Sequence, residues 1–150
     1  MEIFDLRNKL EYLEEVMTLE HNMWGQEPNK NKKARIENKI KKYFDYVDDK
    51  HFCKLILIDE NILIGFISIF PYDSLEEPDL TPWYATMYVK KEYRGKGYSK
   101  ILNDAVLSEA KKRNIKTIYL KTELNNYYEK FGAKFIKYIN EKERLLKFDI

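Results

Sequence analysis

The stretch that decides the fold is residues 87–99, which read MYVKKEYRGKGYS. An apolar strand pattern ends at Val89, and helical spacing of apolar residues begins after Gly97. The chain has only five glycines, and two of them, Gly95 and Gly97, lie in this short segment. Where a strand leads into a helix, free backbone N–H groups and the positive end of the helix dipole point at the same spot. The stretch therefore predicts an anion site.

Phosphate is the anion that this composition favours. Glycines let the backbone approach a phosphate without Cβ atoms in the way, and Arg94, Lys96 and Lys100 add positive charge. The spacing excludes a Walker loop, whose glycines lie further apart, and a dinucleotide fingerprint, which needs a small residue where Lys100 stands. A tight turn with solvated lysines is the structural alternative.

The rest of the chain predicts a sheet with helices around it. Helices are predicted at 8–24, 36–47, 97–113 and, as a short piece, 125–131, and strands at 2–6, 55–58, 62–70, 83–89, 117–121, 135–139 and 145–150. Residues 72–82 hold two prolines and no periodicity, which predicts a loop. Strand, helix and strand at 83–121 form a parallel βαβ unit in a hairpin-rich sheet, so the predicted class is mixed α/β (α+β).

Length and composition limit the function classes. A chain of 150 residues predicts a single domain, 1–150. A net charge of +2 does not favour a nucleic-acid partner. The longest apolar stretch is far shorter than the roughly 20 residues of a membrane span, and the N-terminus lacks a secretory pattern, so we expect a cytoplasmic protein without a membrane partner. One cysteine and two separated histidines predict no metal site.

Two motifs carry a resemblance to a known family. Residues 94–99 fit Arg-x-x-Gly-x-Gly/Ala except that Ser99 ends the pattern, and residues 127–132 read YYEKFG. The first resembles the signature of the GNAT superfamily, the acyl-CoA-dependent N-acyltransferases, and the second is similar to the family's Tyr-Glu-Lys-x-Gly-Phe segment. Ala133 departs from that segment's final aromatic. The resemblance implies a mostly antiparallel sheet of about six or seven strands, a central parallel βαβ unit and about four helices.

The resemblance also implies a binding site for acetyl-CoA as cosubstrate. The strand end would pair with the pantetheine arm as if the arm were an added strand, and residues 94–100 would hold the pyrophosphate. A backbone N–H of the strand would polarise the thioester carbonyl. The cofactor-binding residues so implied are Met87, Tyr88, Val89, Arg94, Gly95, Lys96, Gly97, Tyr98, Ser99, Lys100 and Asn125.

Proton transfer needs an acid and, for an ammonium substrate, a base. Tyr128 matches the family's proton donor, whose phenol protonates the departing thiolate, while Tyr127 is expected to face elsewhere. Glu123, just past a predicted strand, is the first choice for the base. The carboxylates of the 72–82 loop are alternative bases: Asp73, Glu76, Glu77 and Asp79. A mechanism without a dedicated base is also left open.

The function expected from the resemblance is direct transfer of acetyl from acetyl-CoA to a primary amine of a small molecule or peptide. The candidates to line the acceptor pocket are Trp24, Trp83 and Tyr84. For Trp83, packing in the core is an equally good interpretation. Acidic residues at 72–79 favour a cationic amine. Two alternatives stay open: a non-catalytic acyl-CoA-binding module, and a basic RNA-associated domain using residues 32–42. A homodimer is also left open.

Overall fold

The computed structural model describes residues 1–150 and contains one seven-stranded sheet. Its strands are β1 (Glu2–Asp5), β2 (Cys53–Asp59), β3 (Ile62–Phe70), β4 (Trp83–Val89), β5 (Thr117–Thr122), β6 (Lys134–Tyr138) and β7 (Arg144–Asp149). Their order in the sheet is β1-β2-β3-β4-β5-β7-β6. Every neighbouring pair is antiparallel except β4 and β5, which are parallel. The structure confirms the predicted fold class.

The sheet is accompanied by three α-helices, where about four helices were predicted. They are α1 (Leu13–Trp24), α2 (Lys32–Tyr46) and α3 (Tyr98–Lys112). The predicted first helix begins late, because two 3₁₀ turns precede it and Lys9 between them is non-helical, with a φ of −143°. The predicted helix at 125–131 is a single 3₁₀ turn at Glu129–Phe131, since Asn126 takes a left-handed φ of 58°. None of these helices has the length and hydrophobicity of a membrane-spanning segment.

Apolar side chains cover both faces of the sheet, which gives three layers. Side chains alternate across a strand, so Leu55 and Leu57 of β2 join one core with α3, while Ile56 and Ile58 join another with α1 and α2. Burial on both faces explains why β2 and β3 are nearly continuous apolar runs. The central strands are therefore held from both sides.

Strands β4 and β5 separate soon after they meet. Their only paired position is Trp83 with Tyr119, supported by a hydrogen bond of 3.0 Å from the Tyr119 N–H to the Pro82 carbonyl. Further along β4, Thr86 takes a φ of 50° where the β3–β4 register shifts. A bulge of this kind bends its strand and interrupts regular pairing. The gap that results lies beside residues 86–89.

The two C-terminal strands form the predicted hairpin, but they do not add to the sheet in chain order. β7 lies between β5 and β6, and pairs with β5 from Thr117–Asp149 to Thr122–Arg144. Every residue of β6 is exposed, whereas β7 carries three consecutive buried residues, Arg144 to Leu146. β7 is therefore the more buried strand of the hairpin, because it has a neighbouring strand on each side.

Candidate active site

A cleft of about 580 Å³ lies between the end of β4, the loop that follows it and the start of α3. We call it the phosphate-loop cleft. Eight of the predicted cofactor-binding residues line it: Met87, Tyr88, Val89, Arg94, Gly95, Gly97, Tyr98 and Ser99. Lining residues that the sequence analysis missed are Met23, Tyr93, Leu124 and Lys130. Met23 and Leu124 come from other segments of the chain, so no local pattern could have indicated them, whereas Lys130 lies in the YYEKFG motif two residues after Tyr128.

The loop at the floor of this cleft has the geometry of an anion site. Gly95 and Gly97 have φ values of 79° and 84°, in the left-handed region that side chains disfavour. No atom lies within 4 Å of the position that a Cβ would take on either residue, so the space above them is open. α3 begins directly after Gly97, and no side chain caps it. Its first N–H groups and its dipole are thus free for a ligand.

The cations of the loop differ in what they contact. Arg94 donates from Nε to the Val89 carbonyl at 2.8 Å, and its guanidinium lies 5.5 Å from the Tyr88 ring centroid. The Lys100 ammonium pairs with Asp104 at 2.7 Å. Lys96, Lys100 and Asn125 are exposed and do not line the cleft. Arg94 is therefore the predicted cation that already faces it.

A second cavity, of about 400 Å³, opens where β4 and β5 separate, and we call it the splay cavity. Its wall consists of Trp24, Asp73, Tyr84, Ala85, Thr86, Met87, Leu120, Lys121, Thr122, Tyr128 and Glu143. Met87 and Tyr128 also line the phosphate-loop cleft. The two spaces consequently meet at these two side chains.

Tyr128 lies at this junction among other aromatic rings. Its ring centroid is 5.6 Å from that of Tyr84 and 4.8 Å from that of Tyr127, both edge to face. Burial raises the pKa of Tyr128 to about 12, so the phenol is protonated at neutral pH. Tyr127 was expected to face elsewhere, but it also lines the cleft. The reason is that the segment after it is one 3₁₀ turn and not the regular helix on which that expectation depended.

Of the four carboxylates on the 72–82 loop, only Asp73 faces the splay cavity. Burial raises the pKa of Asp73 to about 6, with Lys121 opposing and Glu143 reinforcing the shift. Glu77 instead pairs with Lys137 at 2.5 Å. Glu123 is exposed, and it lines neither the cleft nor the cavity. Its assignment as the base stays a prediction.

Three aromatic residues were candidates for an acceptor pocket. Trp24 and Tyr84 line the splay cavity, whereas Trp83 is fully buried and donates from its indole N–H to the Leu80 carbonyl at 2.8 Å. Of the two histidines, His21 is buried, and its Nε2 lies 2.8 Å from the Pro28 carbonyl oxygen. No three His, Cys, Asp or Glu side chains are grouped so that they could hold a metal ion.

Comparisons with known proteins agree with this architecture. The Brucella melitensis ribosomal-protein-alanine N-acetyltransferase superposes with a TM-score of 0.72 at 16% identity, covering 100% of both chains. An aminoglycoside 6'-N-acetyltransferase complexed with coenzyme A gives 0.75 at 16% identity, covering 99% of this chain and 97% of that one. The Enterococcus faecium aminoglycoside 6'-N-acetyltransferase gives 0.70 at 16% identity, with the same coverage of 99% and 97%. At these identities the likeness concerns the fold.

Sequence comparison assigns the family directly. A search of curated proteins finds no match. The sequence profile of the acetyltransferase (GNAT) family, however, matches residues 11–133, which include α1, the central strands, the phosphate loop and the Tyr128 segment. The chain therefore belongs to the GNAT acetyltransferase family.

Proposed function

We propose that this protein transfers the acetyl group of acetyl-CoA directly to a primary amine. The observation that carries the proposal is the meeting of the phosphate-loop cleft and the splay cavity at Met87 and Tyr128. One space suits a thioester donor and the other an amine acceptor, and the two reactants would face each other at the junction. Such an arrangement converts an encounter of two molecules into a reaction between neighbouring groups.

The phosphate-loop cleft fits the chemistry of coenzyme A. A pyrophosphate over Gly95 and Gly97 would accept hydrogen bonds from the free N–H groups at the start of α3. Beyond the bulge at Thr86, β4 has no paired position with β5, which leaves a strand edge for the amides of the pantetheine arm. The solved aminoglycoside 6'-N-acetyltransferase with coenzyme A supports this ligand class. Lys96, Lys100 and Asn125 stay as predicted contacts on the exposed side.

The transfer requires one bond exchange and two proton movements. The amine nitrogen attacks the thioester carbonyl carbon, the new C–N bond forms, and the C–S bond breaks. The nitrogen loses a proton, and the sulfur gains one to leave as a free thiol. Tyr128 is proposed to donate that proton, because its pKa of about 12 keeps the phenol protonated at neutral pH. Solvent then returns a proton to the phenolate.

Two carboxylates are candidates for taking up the amine proton. Asp73 lines the splay cavity with a pKa of about 6, close to neutral pH, where a base is both ionised and basic enough to act. Glu123 is the base predicted from sequence, and from its exposed position it would act through water. We propose Asp73 as the stronger candidate, since it borders the space where the amine would lie.

Titration calorimetry and a thiol-release assay test the function. The protein should bind coenzyme A, and acetyl-CoA plus a panel of primary amines should release free thiol with an N-acetylated product detected by mass spectrometry. Absence of heat with coenzyme A would overturn the proposal. Binding without thiol release from any amine would favour the acyl-CoA-binding module. RNA binding that falls steeply with salt, without a response to coenzyme A, would favour the RNA-associated domain.

A further inference from the structure

A third cavity, of about 420 Å³, lies on the α1–α2 side of the sheet beside the end of β3. We call it the lysine pocket, because Lys39, Lys42 and Lys54 line it. Its apolar wall is largely aromatic and includes Tyr43, Tyr46, Phe52, Phe70 and Tyr72. The function proposed above makes no use of this space.

Positive charge exceeds negative charge on the side of the pocket formed by the helices and β2. Glu20 is buried there, and its two carboxylate oxygens accept from Lys39, at 2.9 Å, and from Lys54. Burial would raise the pKa of Glu20, but these two ammonium groups hold that pKa below its usual range. One carboxylate is thus shared by two cations, and Lys42 forms no salt bridge at all.

The lysine ammonium groups of the pocket also keep N–H donors that no protein atom accepts. An ammonium group has three N–H donors. Lys54 uses one on Glu20 and one on the Ser68 hydroxyl at 2.8 Å, Lys39 uses one on Glu20, and Lys42 uses none. A ligand with acceptor oxygens would complement both the charge and the free donors.

The lysine pocket adjoins the splay cavity. Asp73 lines both spaces. Between them, the Ser68 hydroxyl accepts from Lys54 of the pocket and, at 2.7 Å, from Thr86, which lines the splay cavity. Two hydrogen bonds through the buried Ser68 thus link the walls of the two spaces. A small molecule with its amine beside Asp73 could therefore extend into the pocket.

We infer that the acceptor is a small primary amine that also carries an anionic group, and that this anionic group binds in the lysine pocket. The inference rests on the proposed function and deepens it. The amine would lie in the splay cavity near Asp73, and the aromatic wall would cover the apolar chain between the two ends. The excess of positive charge that Lys39, Lys42 and Lys54 leave over Glu20 would repel a polyamine, although the acidic 72–82 loop alone favoured a cationic acceptor.

Matched substrates test the inference. 6-Aminohexanoate and hexylamine share a terminal amine and differ in whether the far end is a carboxylate or a methyl group. The carboxylate should raise kcat/KM at least about tenfold, as expected for a charge-assisted hydrogen bond. 5-Aminopentylphosphonate has the same five-methylene chain, so its comparison with hexylamine shows whether a phosphonate serves as well as a carboxylate. Equal or better turnover of hexylamine, or a preference for spermidine, would overturn the inference.

A matched pair of variants locates the anionic group. Lys42→Glu should remove the preference for 6-aminohexanoate over hexylamine and leave the affinity for coenzyme A unchanged. Lys41→Glu changes the same charge on the neighbouring residue, which is exposed like Lys42 but does not line the pocket, and it should keep the preference. The same loss in both variants would indicate a general charge effect and contradict a specific site.

Binding measurements keep this test separate from that of the proposed function. The complex with coenzyme A should bind 6-aminohexanoate and not hexylamine in titration calorimetry, and Lys42→Glu should abolish the difference. If the protein acetylates amines without regard to charge, the function stands and the inference fails. If no amine is acetylated but this binding pattern holds, the pocket stands and the acetyltransferase function fails. Failure of 6-aminohexanoate to bind would overturn the inference.

Discussion

At the junction of the phosphate-loop cleft and the splay cavity, Tyr128 is the one side chain with a proton to give. Tyr128→Phe removes the hydroxyl and keeps the ring that packs on Tyr84 and Tyr127. We expect kcat to fall roughly a hundredfold, the low end of what a general acid contributes, with little change in acetyl-CoA affinity. Steady-state kinetics and calorimetry measure the two quantities. Tyr127→Phe is the control, and an unchanged kcat for Tyr128→Phe would remove Tyr128 from the mechanism.

Asp73 should set the acidic limb of the rate profile. With a pKa of about 6, its carboxylate becomes protonated as pH falls through that value, so kcat should decline below about pH 6. Asp73→Asn should lower kcat and remove the limb, whereas Glu123→Gln should retain it. Loss of the limb in Glu123→Gln, with the limb retained in Asp73→Asn, would assign the base to Glu123.

The same carboxyl group should also reduce stability at neutral pH. Its pKa rises from 3.8 to about 6 on folding, so the folded state binds more protons in that interval and the free energy of unfolding falls as pH rises through it. Asp73→Asn should therefore raise the free energy of unfolding at pH 7 by about 1–2 kcal/mol. Urea unfolding at pH 3.5 and pH 7 measures this, with the exposed Asp79→Asn as control. A loss of stability at pH 7 would contradict the argument.

At the scale of elements, the turn into α3 depends on the left-handed conformation of Gly97. Gly97→Ala places a Cβ on a residue with a φ of 84°, which should cost about 1–2 kcal/mol of stability and weaken coenzyme A binding roughly tenfold. Thermal unfolding and calorimetry measure the two effects. Gly97→Asn is the matched control, because asparagine tolerates this conformation better. Equal losses of stability and coenzyme A affinity in both variants would show that a side chain blocking the site matters more than backbone strain.

The contact of α1 with β2 and β3 includes a buried charge network. Lys54 pairs with Glu20 of α1 and donates to Ser68 of β3. Lys54→Met should cost about 3 kcal/mol, because it leaves the Glu20 carboxylate buried with only Lys39 as partner. The double variant Glu20→Leu, Lys54→Met should recover most of that loss. Urea unfolding of the wild type, both single variants and the double variant measures the coupling free energy between Glu20 and Lys54. If the losses in the free energy of unfolding simply add in the double variant, the two residues are not coupled.

At the scale of the whole molecule, ligand binding should be visible as thermal stability. Coenzyme A at a hundred times its Kd should add about 2.7 kcal/mol to the free energy of unfolding. For a chain of this size that corresponds to a rise in Tm of roughly 5–10 °C. ADP, which retains a pyrophosphate, should raise Tm partially, and adenosine should not. A rise with adenosine equal to that with ADP would show that the phosphate loop does not carry the binding.

Sequence alone predicted the features that depend on neighbouring residues. The strand end, the paired glycines and the start of α3 form one contiguous segment, so their geometry follows from local backbone preferences and the helix dipole. The hairpin of β2 and β3 followed from two apolar runs with a short polar connection. Boundaries were less exact, as at α1, because 3₁₀ and α-helical turns share similar apolar spacing there.

The tertiary structure alone decided which distant residues meet. Burial of apolar surface has no direction, so the sequence could not indicate that β7 would lie between β5 and β6. Likewise, Asp73 and Tyr128 come together in the splay cavity only because β4 and β5 separate beside them. From sequence, residues 32–42 were considered as a basic surface for RNA, whereas the lysine pocket exists because α2 packs beside the end of β3. Local chemistry was thus readable from the chain, whereas the shape of each pocket depended on long-range packing.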